Sequence, residues 1–227
     1  MYEELTKEAN SVFRYELLEH GRLIPTYLIP GEDDEIIKKF EKYAGDGFLN
    51  VFADTIKEPG DYSVILHGDC WSNNMMFKYE TSEFGRKLTD MRLLDLQFVK
   101  VGSPVCDLSY CFYSGASTAD FNDLDKYLRI YYDSFSSFLT EVGADPKEVF
   151  PFEALKQHWK KYAMFGVCMA FLVLKLKATE QEDIIDLTDD IDESDMAEVI
   201  ANLKFNQDNY KKNVRELIYH LNEIDVL

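Results

Sequence analysis

Ser63-Val64-Ile65-Leu66-His67-Gly68-Asp69-Cys70-Trp71-Ser72-Asn73-Asn74 and, further on, Leu93-Leu94-Asp95-Leu96-Gln97 decide how this chain is read. Ser63 to Leu66 is a short apolar, β-prone run, which predicts a buried strand delivering His67-Gly68-Asp69 into a loop. Met75 to Tyr79 resumes an extended pattern. Glu80 to Lys87 then carries Ser82 and Gly85 among charged residues, as a hairpin turn would. Met91 to Leu94 forms the returning strand and ends at Asp95.

The residue types at these places suit one chemistry. A carboxylate at the head of such a loop, Asp69, is positioned to accept the proton of an attacking hydroxyl. Phosphoryl transfer needs mainly positioning and charge stabilisation, so one well-placed base suffices. Asn74, five residues on, can bring its amide oxygen to a metal near the phosphates, and Asp95 supplies a carboxylate. Mg²⁺ is a hard cation that takes such oxygens together with phosphate and water. Singly, each residue has a plainer explanation, since an Asp after a strand is most often a turn or cap. The ordered combination is what points to phosphotransfer. His67 reads as a structural residue bonding loop backbone, and Trp71 as packing or a wall of the site.

HGDCWSNNMMFKYE followed by RLLDLQFVKVGSPVCDLSYCFYSGAS resembles the ecdysteroid-kinase-like, or CHK-domain, family, in the aminoglycoside- and choline-kinase branch of protein-kinase-like folds. The family pattern is close to HGDxWxxNxxFKY, then xDFQxxxxGSPxxDLxYF. The chain matches it at His67, Gly68, Asp69, Trp71, Asn74, Phe77, Lys78 and Tyr79, and again at Asp95, Gln97, Gly102, Ser103, Pro104, Asp107, Leu108, Tyr110 and Phe112. Leu96 stands where the family usually has Phe, an apolar-for-apolar change. The resemblance implies Asp69 as catalytic base, and Asn74 and Asp95 as metal ligands at the nucleotide. It implies Asp107 as a structural acid bracing the catalytic loop. It also implies Mg²⁺ and ATP as cofactors and a small-molecule alcohol, such as an ecdysteroid, as acceptor. The fold it implies is α+β, mainly α: the C-terminal, large lobe of a protein-kinase-like fold, with a small β-hairpin carrying the catalytic and metal-binding loops.

Kinase-like folds open on a β-rich small lobe with a phosphate-covering loop, a Lys for the α/β-phosphates and a Glu that pairs with it. Residues 1–60 hold Gly21, Gly31, Gly45, Gly47 and Gly60 without clustering, and no VAIK-like Lys on an alternating strand. Glu3 to His20 instead places Leu5, Ala9, Val12, Phe13 and Leu17 at helical spacing. Asp33 is a candidate N-cap for a second helix with Ile36, Ile37, Phe40 and Tyr43 or Ala44 as its apolar stripe. The expectation is therefore a helical insert over 1–60, catalytic and metal-binding loops over 61–105, and a helical subdomain over 106–227, with the N-terminal ATP-grasping lobe missing. On that reading the chain is a truncated phosphotransferase, inactive alone. The alternative is a catalytically inactive fragment or pseudokinase acting as a binding module, with a protein partner on the exposed surface that faces the small lobe.

Past Asp107 the apolar spacing predicts helices over 106–113, 120–142, 152–177 and 195–224. In the second of these, Leu124, Tyr127, Leu128, Tyr131, Phe135, Phe138 and Leu139 share a face. Tyr162 to Leu174 is too short to span a bilayer and ends in Lys175 and Lys177, so it predicts a buried core helix and no membrane association. With 227 residues, 46% hydrophobic and 14% aromatic, the chain has material for one sizeable core. Cys70, Cys106, Cys111 and Cys168 form no CxxC pair, and read as reduced, mostly buried thiols of a cytoplasmic protein. Acids within the first four residues and the lack of an apolar stretch argue against a secretory leader. The net charge of −18 disfavours nucleic-acid binding. Glu180 to Glu198 concentrates ten carboxylates, read as a solvated loop or as an attraction for cationic substrates.

Overall fold

Ahead of the motif strand every described element is helical: α1 (Val12–Leu23), α2 (Asp34–Phe40) and α3 (Gly47–Lys57), joined by 3-10 turns at Ile24–Tyr27 and Glu41–Tyr43. Next come β1 (Val64–Leu66), β2 (Met75–Ser82), β3 (Gly85–Leu93) and β4 (Lys100–Gly102). The remainder is α4 (Pro104–Gly115), α5 (Thr118–Phe121), α6 (Leu124–Glu141), α7 (Pro146–Val149), α8 (Phe152–Ala178) and α9 (Gln207–Glu223). The computed structural model describes residues 12–57, 60–83, 85–179 and 203–227. The architecture is mainly helical with two small antiparallel sheets. Of the helix expected over 3–20, residues 12–20 are present in α1, which runs on to Leu23; residues 1–11 and the acidic run 180–198 lie outside the described residues.

The axis of the molecule is α8. Tyr162 to Phe171 are all buried, so this stretch is covered on every side rather than along one stripe. Gly166 lets α4 cross it closely, since a Cβ there would stand 2.2 Å from the Tyr110 nitrogen and 2.3 Å from Ser109. A glycine in mid-helix costs about 1 kcal/mol against alanine, and this crossing is what offsets it. Phe48 and Phe52 on α3 pack edge-on against Phe171 and stacked on Phe165, at 5.8 and 5.0 Å. α1 adds a buried ion pair, Lys175 Nζ to Glu16 Oε1 at 2.8 Å. The buried core draws continuously on residues from Leu17 to Val226.

Several expectations need correction. β1 is not a buried strand: among the described residues its one partner is β4, and while Leu66 faces the core, Ile65 is 79% exposed. The helix expected over 120–142 is two helices, because Ser117 and Asp120 form a capping box that starts α5, and the chain turns at Asn122. Only Leu124 and Leu128 of the predicted apolar face are buried; Phe138 is 60% exposed, since the C-terminal half of α6 projects past the core. The last helix begins at Gln207, capped by the Asn206 side chain, while Phe205 pairs with Thr179 as a β-bridge. Asp33 does occupy the N-cap of α2, but its carboxylate makes no capping bond. It accepts instead from Ile29 N (2.6 Å), Tyr219 Oη (2.5 Å) and Arg215 (3.2 Å), tying this turn to α9.

β2 and β3 form a ribbon in register from Met75↔Leu93 to Ser82↔Gly85, with a bulge between Lys78 and Tyr79. Paired residues share a face. One face therefore carries Met75, Phe77 and Tyr79 with Leu93, Met91 and Leu88; the other carries Lys78 and Glu80 with Asp90 and Lys87, and Met76 with Arg92. Five of the six apolar residues on the first face are exposed, Phe77 at 42% and Met91 at 43%.

Candidate active site

Ser103 and Pro104 start the site from below. The Ser103 side chain accepts from Val105 N and Pro104 takes the first turn, so α4 begins sharply after β4. This fixes Asp107 in the opening turns of α4, underneath the loop that leaves β1. Its two carboxylate oxygens receive the loop backbone, Oδ2 from His67 N at 2.6 Å and Oδ1 from Gly68 N at 3.0 Å. Burial raises the Asp107 pKa, while these two N–H groups and Lys100 draw it back down. Gly68 sits at φ +87°, and a Cβ there would come within 2.2 Å of the Phe98 carbonyl oxygen. Only glycine passes at that point.

His67 ties the loop to the far strand. Its Nδ1 accepts from Asp69 N at 3.3 Å, which leaves the ring proton on Nε2 to donate to the Leu94 carbonyl at 2.7 Å. Leu94 N in turn donates to the Asn74 carbonyl at 2.9 Å. Leu94 is thus held on both sides, and Asp95 follows it in left-handed backbone at φ +60°. Asp is among the few residues that tolerate this conformation, and such outliers concentrate at functional sites.

Asp69 and Asn74 are in direct contact. Asn74 Nδ2 donates both to Asp69 Oδ2 (2.7 Å) and to the Asp69 carbonyl (2.9 Å). Two acceptors on one side fix the amide's orientation and turn its Oδ1 away from Asp69. Asp95 is exposed, with Oδ2 accepting from Gln97 Nε2 at 3.2 Å. Asn74 Oδ1 and the Asp95 carboxylate are hard oxygen donors of the kind Mg²⁺ takes. Among the described residues no three His, Cys, Asp or Glu side chains form a ready metal cage. A Mg²⁺ here would draw its other ligands from phosphate and water, which is that ion's habit.

Four residues were given no part in the site by the sequence reading. Gln97 steadies Asp95, and its place in the DLQ motif was the available signal. Lys100, with Nζ 4.6 Å above the Phe165 ring, is a half-buried cation near Asp107, and burial lowers its pKa. Burial and the Asp107 charge act upward on the pKa of both Cys70 and Cys111. Cys106 and Cys168 are buried as expected, but Cys111 is exposed and Cys70 only partly covered. Trp71 is half-buried against the core.

Among the described residues no helix is long and apolar enough to cross a membrane. No curated protein and no solved structure matches the chain. The model of the ecdysteroid kinase-like family matches residues 1–144, a stretch that contains the Asp69 loop, the ribbon, the Asp95 turn and the Asp107 brace. That match spans more than half of the 227 residues, and the chain belongs to the ecdysteroid kinase-like family.

Proposed function

We propose that this chain carries the base and metal-binding side of a Mg·ATP-dependent phosphotransferase that acts on a hydroxyl of a small-molecule alcohol, an ecdysteroid being the first candidate. Family membership suggests a kinase-like phosphotransferase. The observation that carries the finer reading is the Asp69–Asn74 contact, locked by His67 to the turn that presents Asp95. Asp69 would accept the proton of the acceptor hydroxyl, with Asn74 Nδ2 holding the carboxylate in one rotamer. Asn74 Oδ1 and Asp95 would hold Mg²⁺, which when bound screens the phosphate charge. His67 and Asp107 act on the loop backbone and position the base. In this reading the described residues form the large lobe of a kinase-like fold, with 1–60 a helical insert, 61–105 the catalytic and metal-binding loops and 106–227 the helical subdomain. The elements described ahead of β1 are helices, so a β-rich phosphate-covering lobe is not among them.

Transfer from γ-labelled ATP to a panel of ecdysteroids and simple alcohols tests the proposal. Asp69→Asn keeps the contact with Asn74 and removes the base, so any transfer should fall by about 10²- to 10⁴-fold. Transfer indifferent to that change would refute the assignment. A second reading, a binding module without catalysis, draws on the uncovered apolar face of the ribbon, where a protein partner would dock. Mg·ATP binding with no transfer to any acceptor is the result that reading expects.

A further inference from the structure

We propose that the cavity between α5, α6, α8 and α9 binds a neutral, ring-containing small molecule through a ketone or amide oxygen that accepts from the His220 imidazole. It is a site apart from the Asp69 loop. None of Asp69, Asn74, Asp95 and Asp107 lines it. Asp107 stands in the opening turns of α4, and Tyr113, which contacts His220, is six residues and about 9 Å further along that helix. The inference stands whether or not the phosphotransfer proposal does.

The cavity has a volume of about 370 Å³, within the range of small-molecule sites. Its walls are apolar: Phe121, Leu124, Leu128, Trp159 and Ile224. Phe121 lies stacked on His220 at 4.8 Å, so two rings of the lining are already ordered. His220 also lines the cavity, yet the residue is only 5% exposed. The proton on its ring can be placed from its neighbours. Trp159 Nε1 can only donate, and it donates to Tyr113 Oη at 3.1 Å. His220 Nε2, 3.3 Å from that oxygen, is the one acceptor among the described residues for the Tyr113 proton. Nε2 therefore accepts, and the imidazole proton is on Nδ1. Among the described residues nothing accepts from Nδ1–H. A nearly buried donor left without a partner is costly, so a ligand oxygen that accepts from it gains more than a typical exposed hydrogen bond.

The charges at the mouth select a neutral ligand. Lys156 and Lys160 stand there, but Lys156 pairs with Glu153 at 2.9 Å and Lys160 with Asp225 at 3.3 Å. Asp125 and Glu223 add negative charge at the same rim. An anionic ligand would have to displace one of those pairs. A cationic one would carry its charge past the rim onto apolar walls that offer it no counter-charge. His220 supplies no charge at neutral pH, since burial holds its pKa down to about 4. What the interior offers is apolar surface and one neutral N–H donor. A ring with a carbonyl oxygen matches both.

The test is an NMR titration of the full ¹⁵N-labelled chain, without nucleotide, with 2-acetylnaphthalene as the probe. The chain has two tryptophans, so Trp71→Phe identifies the Trp159 indole N–H signal. That signal should shift saturably as the ketone is added. Two probes of similar shape set the specificity: 2-isopropenylnaphthalene, with CH₂ in place of the carbonyl oxygen, and 2-naphthoate, with a negative charge. Each should bind at least about tenfold more weakly than the ketone, the effect of one lost hydrogen bond to a buried donor. In His220→Phe the ketone should lose its advantage over the hydrocarbon. Leu128→Trp fills the cavity and should abolish binding. The comparison of the three probes in the unsubstituted protein needs neither variant to fold. Equal affinity for ketone and hydrocarbon, tighter binding of the naphthoate, or no saturable shift of the Trp159 signal would overturn the proposal. So would an undiminished ketone preference in folded His220→Phe.

Discussion

The two sides of the candidate site are held in different ways. The Asp69 loop is fastened to the helical core, with both Asp107 oxygens on its backbone, Gly68 pressed against Phe98, and α4 itself locked on α8 at Gly166. Asp95 stands at the end of a ribbon whose two faces are largely exposed, and returns to the loop through the two backbone bonds of Leu94. The contrast teaches that Asp69 is positioned by buried packing. The second metal-ligand candidate is positioned by local hydrogen bonds. Damage to the core should therefore disorder the base side, whereas the ribbon can change with little effect on stability.

The strongest challenge to this contrast is Gly166→Ala. A methyl at the α4–α8 crossing forces the helices apart, and about 3 kcal/mol of stability should be lost, read as a lower urea midpoint at unchanged slope. A change confined to the slope would count against it.

Acid should act on the same core. Burial holds His220 down to about 4 and His20 down to about 3. Tyr113 Oη accepts from Trp159 Nε1 and keeps its own proton for His220 Nε2, an arrangement that wants a neutral imidazole. Between the ordinary histidine value of 6.5 and these depressed values the unfolded chain binds more protons than the folded one. Stability is then complete above 6.5 and declines as pH falls towards 4, by about 3 kcal/mol for each histidine. Urea midpoints at pH 7 and pH 4.5 measure this, and His220→Phe should flatten part of the slope.

Asp107→Asn sharpens the comparison. The amide can accept only one of the two loop N–H groups, at a cost of about 1–3 kcal/mol. Hydrogen exchange should rise at His67, Gly68 and Asp69 and stay unchanged along the ribbon. The smallest effect belongs to the ribbon, where Phe77→Ser with Met91→Ser should move stability by no more than about 0.5 kcal/mol. The same double change should reduce binding of an apolar dye. A large loss of stability would mean that the apolar face is covered after all.

The sequence was most legible where a local rule decides the outcome. The length of α8 and the hairpin follow from periodicity and turn residues, and α3 could have been found from Phe48, Val51, Phe52 and Ile56 at helical spacing. What stayed hidden was set by tertiary placement. The capping position of Asp33 was visible, but α9 claims its carboxylate from 182 residues away. The exposure of Ile65 follows from β1 having a single partner strand, and no local pattern encodes that. The role of Gly166 depends on a helix crossing. For the site, the residue types and order were legible, whereas the His67–Leu94 tie that joins the two sides appears only in three dimensions.

The central claim is that Asn74 and Asp95 serve one metal–nucleotide site beside Asp69. Calorimetric titration of ATP with and without Mg²⁺ into the unsubstituted protein, Asn74→Ala and Asp95→Asn tests it most directly. The account predicts Mg²⁺-dependent binding that weakens at least about tenfold, or about 1.4 kcal/mol, in each variant, while Mg²⁺-free binding is unchanged. Mg²⁺-dependent binding of equal strength in all three proteins would contradict it.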